Sequence, residues 1–251
     1  MTRWTGDSGE ITDIDPKQIE QMRSILDQVG ARLSDVFGAD KILWVEGPTE
    51  ERCIPMILKH FGGSMPVGIV VLGLVNTGDV FGKQKILVQR IYKKLSSSST
   101  LIPPAISIIL DREGLSEQEI ADYRRESGGL VSFLPKRCFE NYLLHPGAIE
   151  IVLNAQDSLK EKITQSGITT LITATGDDAE YFKPLSKAAF GTLDWDQRIN
   201  GAKVLKKVFA LRDIEYDKAI HGVALTEAVL SIIPANFQDW AELLKPAYSS
   251  Q

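Results

Sequence analysis

The sequence predicts an α/β fold in which a mostly parallel sheet carries helices on both faces. Short apolar segments alternate with segments of helical periodicity over residues 40–145, a pattern typical of parallel strands joined by crossover helices. The segment 67–74 is almost continuously apolar, as expected of a strand that is buried on both faces. Helical patterns flank this core, so we expect three parts, at 1–39, 40–145 and 146–251.

The first part combines a flexible N-terminus with a junction helix. Residues 1–14 are polar and contain glycine, which predicts a flexible segment. Asp15 suits the cap of a helix and Pro16 suits its first position. Apolar residues then recur at helical spacing as far as Val36, so a helix is expected at 15–37.

The core and the C-terminal part follow in order. Core strands are expected at 41–46, 67–74, 105–110 and 130–134, and core helices at 50–61, 83–95 and 116–125. The last of these helices has a clear start, because Ser116 and Glu119 have the spacing of a capping box. Beyond residue 145 the pattern is mainly helical, with helices expected at 146–153, 198–211, 224–233 and 237–244.

The composition is that of a soluble globular protein. The 251 residues are 43% hydrophobic and 24% charged, which excludes a disordered or fibrous chain. Lys and Arg number 28 against 33 Asp and Glu, so the net charge is −5. Such a chain has no overall attraction for a polyanion. Binding of nucleic acid would therefore require local basic patches, bound cations or a partner.

The sequence also indicates a cytoplasmic protein without a membrane partner. No second Cys or His stands at zinc-ligand spacing from Cys53 or Cys138, so reduced thiols are expected. The N-terminus has no apolar segment of the kind found in signal peptides. The longest nearly apolar run, 65–75, is too short to cross a bilayer.

Acidic residues follow two of the predicted strands. Glu46 ends the first strand and Glu50 begins the next helix, while Asp111 and Glu113 follow the strand 105–110. If the two strands are neighbours, these carboxylates meet at one edge of the sheet, where ligands bind in open α/β folds. A repelling cluster of hard oxygen ligands suits Mg²⁺ or Mn²⁺. The alternative is that they are helix caps or solvated loop charges.

Three motifs resemble a known family. VEGPTE at 45–50, ILDREG at 109–114 and LPKRCFENYLL at 134–144 are similar to the Toprim domain of the OLD (overcoming lysogenization defect) family of ATP-dependent endonucleases. The resemblance covers about residues 30–145 well and 196–245 more loosely. It implies a Toprim-type sheet and a metal-dependent nuclease.

The resemblance also implies roles for individual acidic residues. Glu46 matches the Toprim glutamate, a metal ligand and general base, and Glu50 matches the second acid of that motif. Asp111 matches the first acid of the Toprim Asp-x-Asp, with a catalytic and ligand role. Glu113 stands where the second Asp is usual, and its longer arm alters the ligand geometry. Glu140 matches an acid that helps to bind a second metal.

The family also has a late lysine that stabilises charge in the transition state, and Lys203 is its best match here. The usual motif is similar to Gly-Lys, whereas Ala202 separates Gly201 from Lys203 in this chain. Lys206 and Lys207 therefore remain alternatives for this role.

Local groups of basic residues are candidates for phosphate contacts. They are Lys83 and Lys85, Lys136 and Arg137, and Lys206 and Lys207. The alternative is that these are solvated helix faces. The stretch GDVFGK at 78–83 has one residue too few between its glycines for a P-loop, so no nucleotide site is expected in this chain.

These observations predict an endonuclease that nicks or cuts DNA with one or two Mg²⁺ or Mn²⁺ ions. The resemblance implies an ABC-type ATPase as a fused domain or separate subunit, and a role in defence against phage. One alternative is a Toprim nuclease that acts on RNA. Another is a weakly catalytic module that regulates or docks onto the ATPase. The sequence leaves open whether the chain forms a homo-oligomer.

Overall fold

The structure is a computed structural model that describes residues 2–5, 8–11, 26, 32–36, 39–74, 105–156, 161–182 and 188–248. Most of the predicted junction helix lies outside these residues. The predicted helix at 83–95 also lies outside them, and so do Lys83, Lys85 and the glycine-containing stretch at 78–83.

A four-stranded parallel sheet forms the centre of the fold. Its strands are β3 (Lys41–Val45), β4 (Ile69–Gly73), β5 (Ala105–Leu110) and β6 (Val131–Phe133), in the spatial order β4-β3-β5-β6. All three neighbouring pairs are parallel. At the N-terminus, β1 (Thr2–Thr5) pairs antiparallel with β2 (Ser8–Ile11) in a separate hairpin. The predicted fold class, α/β with a parallel sheet, is confirmed.

Helices cover both faces of this sheet. Along β3, Leu43 and Val45 belong to one hydrophobic cluster, while Ile42 and Trp44 belong to another. This assignment follows from the two-residue period of a strand, which sends successive side chains to opposite faces. The first cluster includes side chains from the C-terminal helices. The second includes side chains from α1 (Leu33–Val36) and α3 (Glu117–Glu126).

Helix α2 (Pro48–Gly62) begins directly after β3, where Gly47 is the cap and Pro48 is the first helical residue. Proline suits this position because its missing N–H would have no partner in the helix. Helix α3 has the predicted capping box, since Ser116 accepts the Glu119 N–H and the Glu119 carboxylate accepts the Ser116 N–H.

The C-terminal part is helical, as predicted. It contains a 3₁₀ helix (Phe139–Leu143), α4 (Pro146–Gln156), α5 (Gln165–Thr175), α6 (Leu193–Arg198), α7 (Gly201–Ala210), α8 (Lys218–Ile232), a second 3₁₀ helix (Pro234–Phe237) and α9 (Gln238–Tyr248). Stacked and edge-on rings of Phe139, Tyr142, Phe237 and Trp240 join the two 3₁₀ helices to α9. This packing fixes the segment that carries Glu140.

Two predicted helices have different bounds in the structure. The helix expected at 198–211 begins later, at Gly201, because Ile199 pairs with Phe182 in a β-bridge and Asn200 caps α7 through the Lys203 N–H. The helix expected at 224–233 starts earlier, at Lys218, because the Asp217 side chain accepts the Ile220 N–H. Side-chain caps of this kind set where a helix begins.

Among the described residues, no single helix is long and apolar enough to span a membrane. The segments Lys218–Ile232 and Pro234–Tyr248 reach that length and composition only as a pair, with a bend of 120° between them.

Candidate metal centre

Glu46 and Asp111 meet at the carboxyl edge of the sheet. Strands β3 and β5 are parallel neighbours with Val45 opposite Ile109, so the residues that follow each strand lie side by side. The Asp111 N–H donates a hydrogen bond of 2.7 Å to Glu46 Oε2. The structure therefore brings together the two strand-end acids that the sequence indicated.

Two further carboxyl groups come from other elements. Glu50 lies in the first turn of α2, and Glu140 lies in the 3₁₀ helix that follows β6. Asp111 is 8% exposed, Glu50 is 7% exposed and Glu140 is 3% exposed. Burial of this kind is costly for an ionised carboxylate without a paired cation.

The Asp111 side chain is fixed by the segment that carries Glu140. The Phe139 N–H donates to Asp111 Oδ1 at 3.1 Å. The carboxylate oxygens of Asp111 and Glu140 and the sulfur of Cys138 all lie within 4.8 Å of one another. These distances are compatible with ligands that share one cation.

The carboxyl groups of this cluster are buried and repel one another, which raises the pKa of Glu50 and Asp111. Burial and the nearby Glu140 and Glu46 carboxylates together raise the pKa of Glu50 to about 8, and burial is the largest cause. Burial, and then Glu46, also raise the pKa of Asp111 well above its usual range. At neutral pH without a cation, proton binding thus relieves part of the repulsion.

Among the described residues, Lys218 reaches this cluster. Lys218, at the start of α8, places Nζ 2.6 Å from Glu140 Oε1 while half of its side chain remains exposed. Burial lowers the pKa of Lys218, but Glu140, Cys138 and Glu50 together raise it above the usual value. Lys218 supplies a single positive charge to four carboxyl groups.

Divalent cations fit this arrangement. The oxygen donors are hard ligands, as Mg²⁺ and Mn²⁺ require. The Glu50 carboxyl is buried, and among the described residues its one hydrogen bond comes from its own backbone N–H. A buried acid without an external partner is the kind of group that a bound cation would satisfy.

Glu113 lies at the rim of the centre. Its φ of 51° is in the left-handed region, and its N–H donates to the Arg137 carbonyl at 2.8 Å. Its carboxylate accepts a hydrogen bond from Arg137 Nε at 3.3 Å. Glu113 therefore contributes negative charge near Asp111 while an arginine already contacts it.

A cleft of about 230 Å³ lies beside Glu113. Three arginines line it, namely Arg112, Arg137 and Arg198. Arg112 is paired with Glu117 at 2.8 Å, and Arg198 is paired with Asp194 at 2.6 Å. The cleft thus places guanidinium groups next to the carboxylate edge.

The three lysines considered for transition-state stabilisation, Lys203, Lys206 and Lys207, lie on α7. Lys203 is exposed on α7, and its Nζ donates to the Glu180 carbonyl at 3.3 Å. Lys207 lies over the Tyr181 ring at 4.6 Å, and Lys206 is exposed on the same helix. Their roles in transition-state stabilisation or phosphate binding stay predictions.

Lys136 and Arg137 are largely buried. Lys136 Nζ lies 2.9 Å from Asp196 Oδ2 and also donates to Asn236 Oδ1. Arg137 donates to Glu113 and to the Arg198 carbonyl. These contacts tie the segment before the 3₁₀ helix to α6, and a contact with phosphate stays a prediction for both residues.

Two residues at the centre were not assigned to it from sequence. Lys218 arrives because α8 crosses α2 closely at Gly222, where a Cβ atom would lie 2.8 Å from Thr49 Cγ2. Such a crossing leaves no local pattern in the sequence. Cys138 stands two residues before Glu140, and that spacing is the one signal that pointed toward the centre.

Neither a family model nor a curated protein matches this chain. The chain is similar to solved C-terminal regions of OLD proteins. One, from Xanthomonas campestris pv. campestris, is 14% identical with a TM-score of 0.49, and covers 86% of this chain and 96% of its own. Another, from Burkholderia pseudomallei, is 16% identical with a TM-score of 0.47, and covers 84% and 99%. A second Xanthomonas structure is 17% identical with a TM-score of 0.47, and covers 85% and 98%.

Proposed function

We propose that the chain is a metal-dependent endonuclease domain that hydrolyses DNA phosphodiester bonds. The observation that supports this most directly is the meeting of Glu46 and Asp111 at one sheet edge, with Glu50 and Glu140 buried beside them. One or two Mg²⁺ or Mn²⁺ ions held by these carboxylates would activate water and neutralise charge on the phosphate.

Each of the four acidic residues has its own role in this proposal. Asp111 and Glu140 hold the centre in position, because the Phe139 N–H orients one and the Lys218 ammonium orients the other. Glu46 is the least buried of the four acids, so it can exchange protons with solvent and act as the general base. Glu50 faces Glu46 and Glu140 and completes the ligand set.

Lys218 is the stronger candidate for the cation that stabilises the transition state. Its ammonium already lies in the carboxylate cluster, and its exposed stem lets it follow a substrate phosphate. Lys203 is placed at the Glu180 carbonyl instead. We therefore assign this role to Lys218 and keep Lys203 as the alternative to be tested.

The substrate and partner follow from the family resemblance. DNA would approach across the arginine-lined cleft beside Glu113. An ABC-type ATPase, fused or separate, would couple cleavage to nucleotide hydrolysis in a cytoplasmic defence system against phage. Because the net charge is −5, we expect weak DNA binding by this chain without metal or partner.

Plasmid nicking in Mg²⁺ or Mn²⁺ tests this proposal. The wild type should nick supercoiled DNA, whereas Glu46→Gln and Asp111→Asn should not. Glu227→Gln is the matched control, because Glu227 is an exposed acid on α8. Nicking by Asp111→Asn at the wild-type rate would contradict the mechanism.

Two outcomes would favour the alternatives. Cleavage of tRNA with intact plasmid would make RNA the substrate. Binding of Mn²⁺ without any cleavage, even with an ATPase partner, would indicate a regulatory or docking module.

A further inference from the structure

A thiol lies among the carboxylates of the proposed metal centre. Cys138 is 5% exposed, and its sulfur lies within 4.8 Å of ligand oxygens of both Asp111 and Glu140. Sulfur is a softer ligand than the surrounding oxygens, so its presence changes which cations the site prefers.

The backbone holds Cys138 in this position. The residue is the cap of the 3₁₀ helix and has an extended conformation, with φ of −149° and ψ of 171°. The next residue, Phe139, donates its N–H to Asp111 Oδ1 at 3.1 Å. The thiol and the Asp111 carboxylate are therefore fixed to each other through one peptide unit.

Asn141 orients the thiol from the other side. Its Nδ2 donates to the carbonyls of Asp196 at 2.7 Å and Ile199 at 3.2 Å. The amide is thereby held with Oδ1 toward Cys138, whose Sγ lies 2.9 Å away and donates its proton. The Glu140 side chain also forms a hydrogen bond with this thiol, so the sulfur faces the carboxylate cluster.

A second observation indicates that a cation belongs here. The Glu50 side chain is 7% exposed, and among the described residues no other residue donates a hydrogen bond to it. Its electrostatic neighbours are Glu140, Glu46 and the Lys218 ammonium, so it faces the same cluster. One ammonium does not balance a buried acid that faces two others, so the cluster still lacks positive charge.

We propose that Cys138, Asp111 and Glu140 form a mixed thiolate–carboxylate position that selects a borderline divalent cation of the Zn²⁺ or Co²⁺ type over Mg²⁺. This inference rests on the proposed function only in that the cluster binds divalent cations. On binding, the sulfur–metal bond forms as the thiol proton leaves to solvent, and no electron is transferred. The other carboxylates, Glu46 and Glu50, remain available to an oxygen-bound ion.

Cys53 provides a matched control inside the same protein. It is fully buried in α2, and it is not a member of the Asp111, Cys138 and Glu140 group. The chain has two cysteines, so a Cys53→Ser protein retains a single thiol, that of Cys138.

The experiment is a Co²⁺ titration of the full chain, followed by absorption spectroscopy. Wild type and Cys53→Ser should both show a near-ultraviolet thiolate-to-cobalt band together with visible d–d bands. Cys138→Ser should lose the near-ultraviolet band, and its affinity for Zn²⁺ should fall by about tenfold or more. Its affinity for Mn²⁺ should change less.

X-ray absorption at the zinc edge keeps the test decisive if Cys138→Ser does not fold. Zn²⁺-loaded Cys53→Ser should show one sulfur neighbour at about 2.3 Å. Oxygen neighbours alone, or d–d bands without the near-ultraviolet band in wild type, would overturn this inference and leave the nuclease proposal intact. A cobalt–thiolate band in a protein that cleaves nothing in any metal would support the inference and contradict the nuclease proposal.

Discussion

The Glu46 carboxylate accepts the backbone N–H of Asp111 at 2.7 Å, and this bond joins the ends of β3 and β5. One oxygen of Glu46 thus helps to close the sheet edge, while the carboxylate as a whole faces the other acids. Glu46 therefore serves the fold and the proposed metal centre together.

These two roles can be separated by Glu46→Gln. An amide oxygen can still accept the Asp111 N–H, so the free energy of unfolding should stay within about 1 kcal/mol of wild type. The neutral amide is a poor ligand, so affinity for Mn²⁺ should fall by about tenfold or more. Urea denaturation and titration calorimetry measure the two effects. Unchanged Mn²⁺ affinity would show that Glu46 is not a ligand.

Without divalent cations, the protein should lose stability as the pH rises from about 5 to about 8, the window set by Glu50. The pKa of this carboxyl is about 8 in the folded protein against an ordinary value of 4.5, so the folded state holds a proton that the unfolded chain has released. Each pH unit in that window should lower the free energy of unfolding by about 1.4 kcal/mol for this group. Urea denaturation in EDTA at a series of pH values measures the slope.

Glu50→Gln should make this slope shallower, because an amide does not titrate while Asp111, whose pKa is also raised, still does. Glu227→Gln should keep the wild-type slope, since Glu227 is exposed. Added Mn²⁺ should stabilise the wild type more at pH 8 than at pH 5, because cation binding requires ionised carboxylates. A Glu50→Gln protein with the wild-type slope would assign the titration to another group.

Substitution of the two candidate lysines should have unequal effects on cleavage. Lys218→Met removes the ammonium beside Glu140, and the single-turnover nicking rate should fall by about 100-fold if that charge stabilises the transition state. Lys203→Met should change the rate little, because Lys203 contacts the Glu180 carbonyl. The reverse order of effects would return the role to Lys203. Circular dichroism spectra of both variants check that each is folded.

Gly201→Ala should disturb the centre without changing any ligand. A Cβ atom at Gly201 would lie 2.6 Å from Asn141 Oδ1 and 2.8 Å from the Asn141 backbone nitrogen. The 3₁₀ helix would have to move, at a cost of about 1–3 kcal/mol in the free energy of unfolding. Because Glu140 lies in that helix, Mn²⁺ affinity should fall too.

Gly167→Ala is the control for this change. The added Cβ would lie 3.4 Å from Thr164 Oγ1, an ordinary contact, and alanine favours a helix more than glycine does. Its stability should equal or exceed that of wild type in the same urea titration. If both variants were equally stable, the close approach of α7 to the 3₁₀ helix would be wrong.

The local elements and the strand-end acids could be predicted from sequence. Apolar runs and the capping box at Ser116 act over a few residues, so their patterns can be read directly. Glu46 and Asp111 were found in the same way, because each directly follows a strand. Glu140 was found through the family resemblance.

The side chains that meet around these acids come from elements far apart in the chain. The break between α6 and α7 depends on a bridge from Ile199 to Phe182, and Lys218 reaches Glu140 because α8 packs across α2. Cys138 lies beside Asp111 because the N–H of the next residue, Phe139, donates to Asp111 Oδ1 from a separate segment. Contacts of this kind come from the packing of distant elements, and no local period or spacing encodes them.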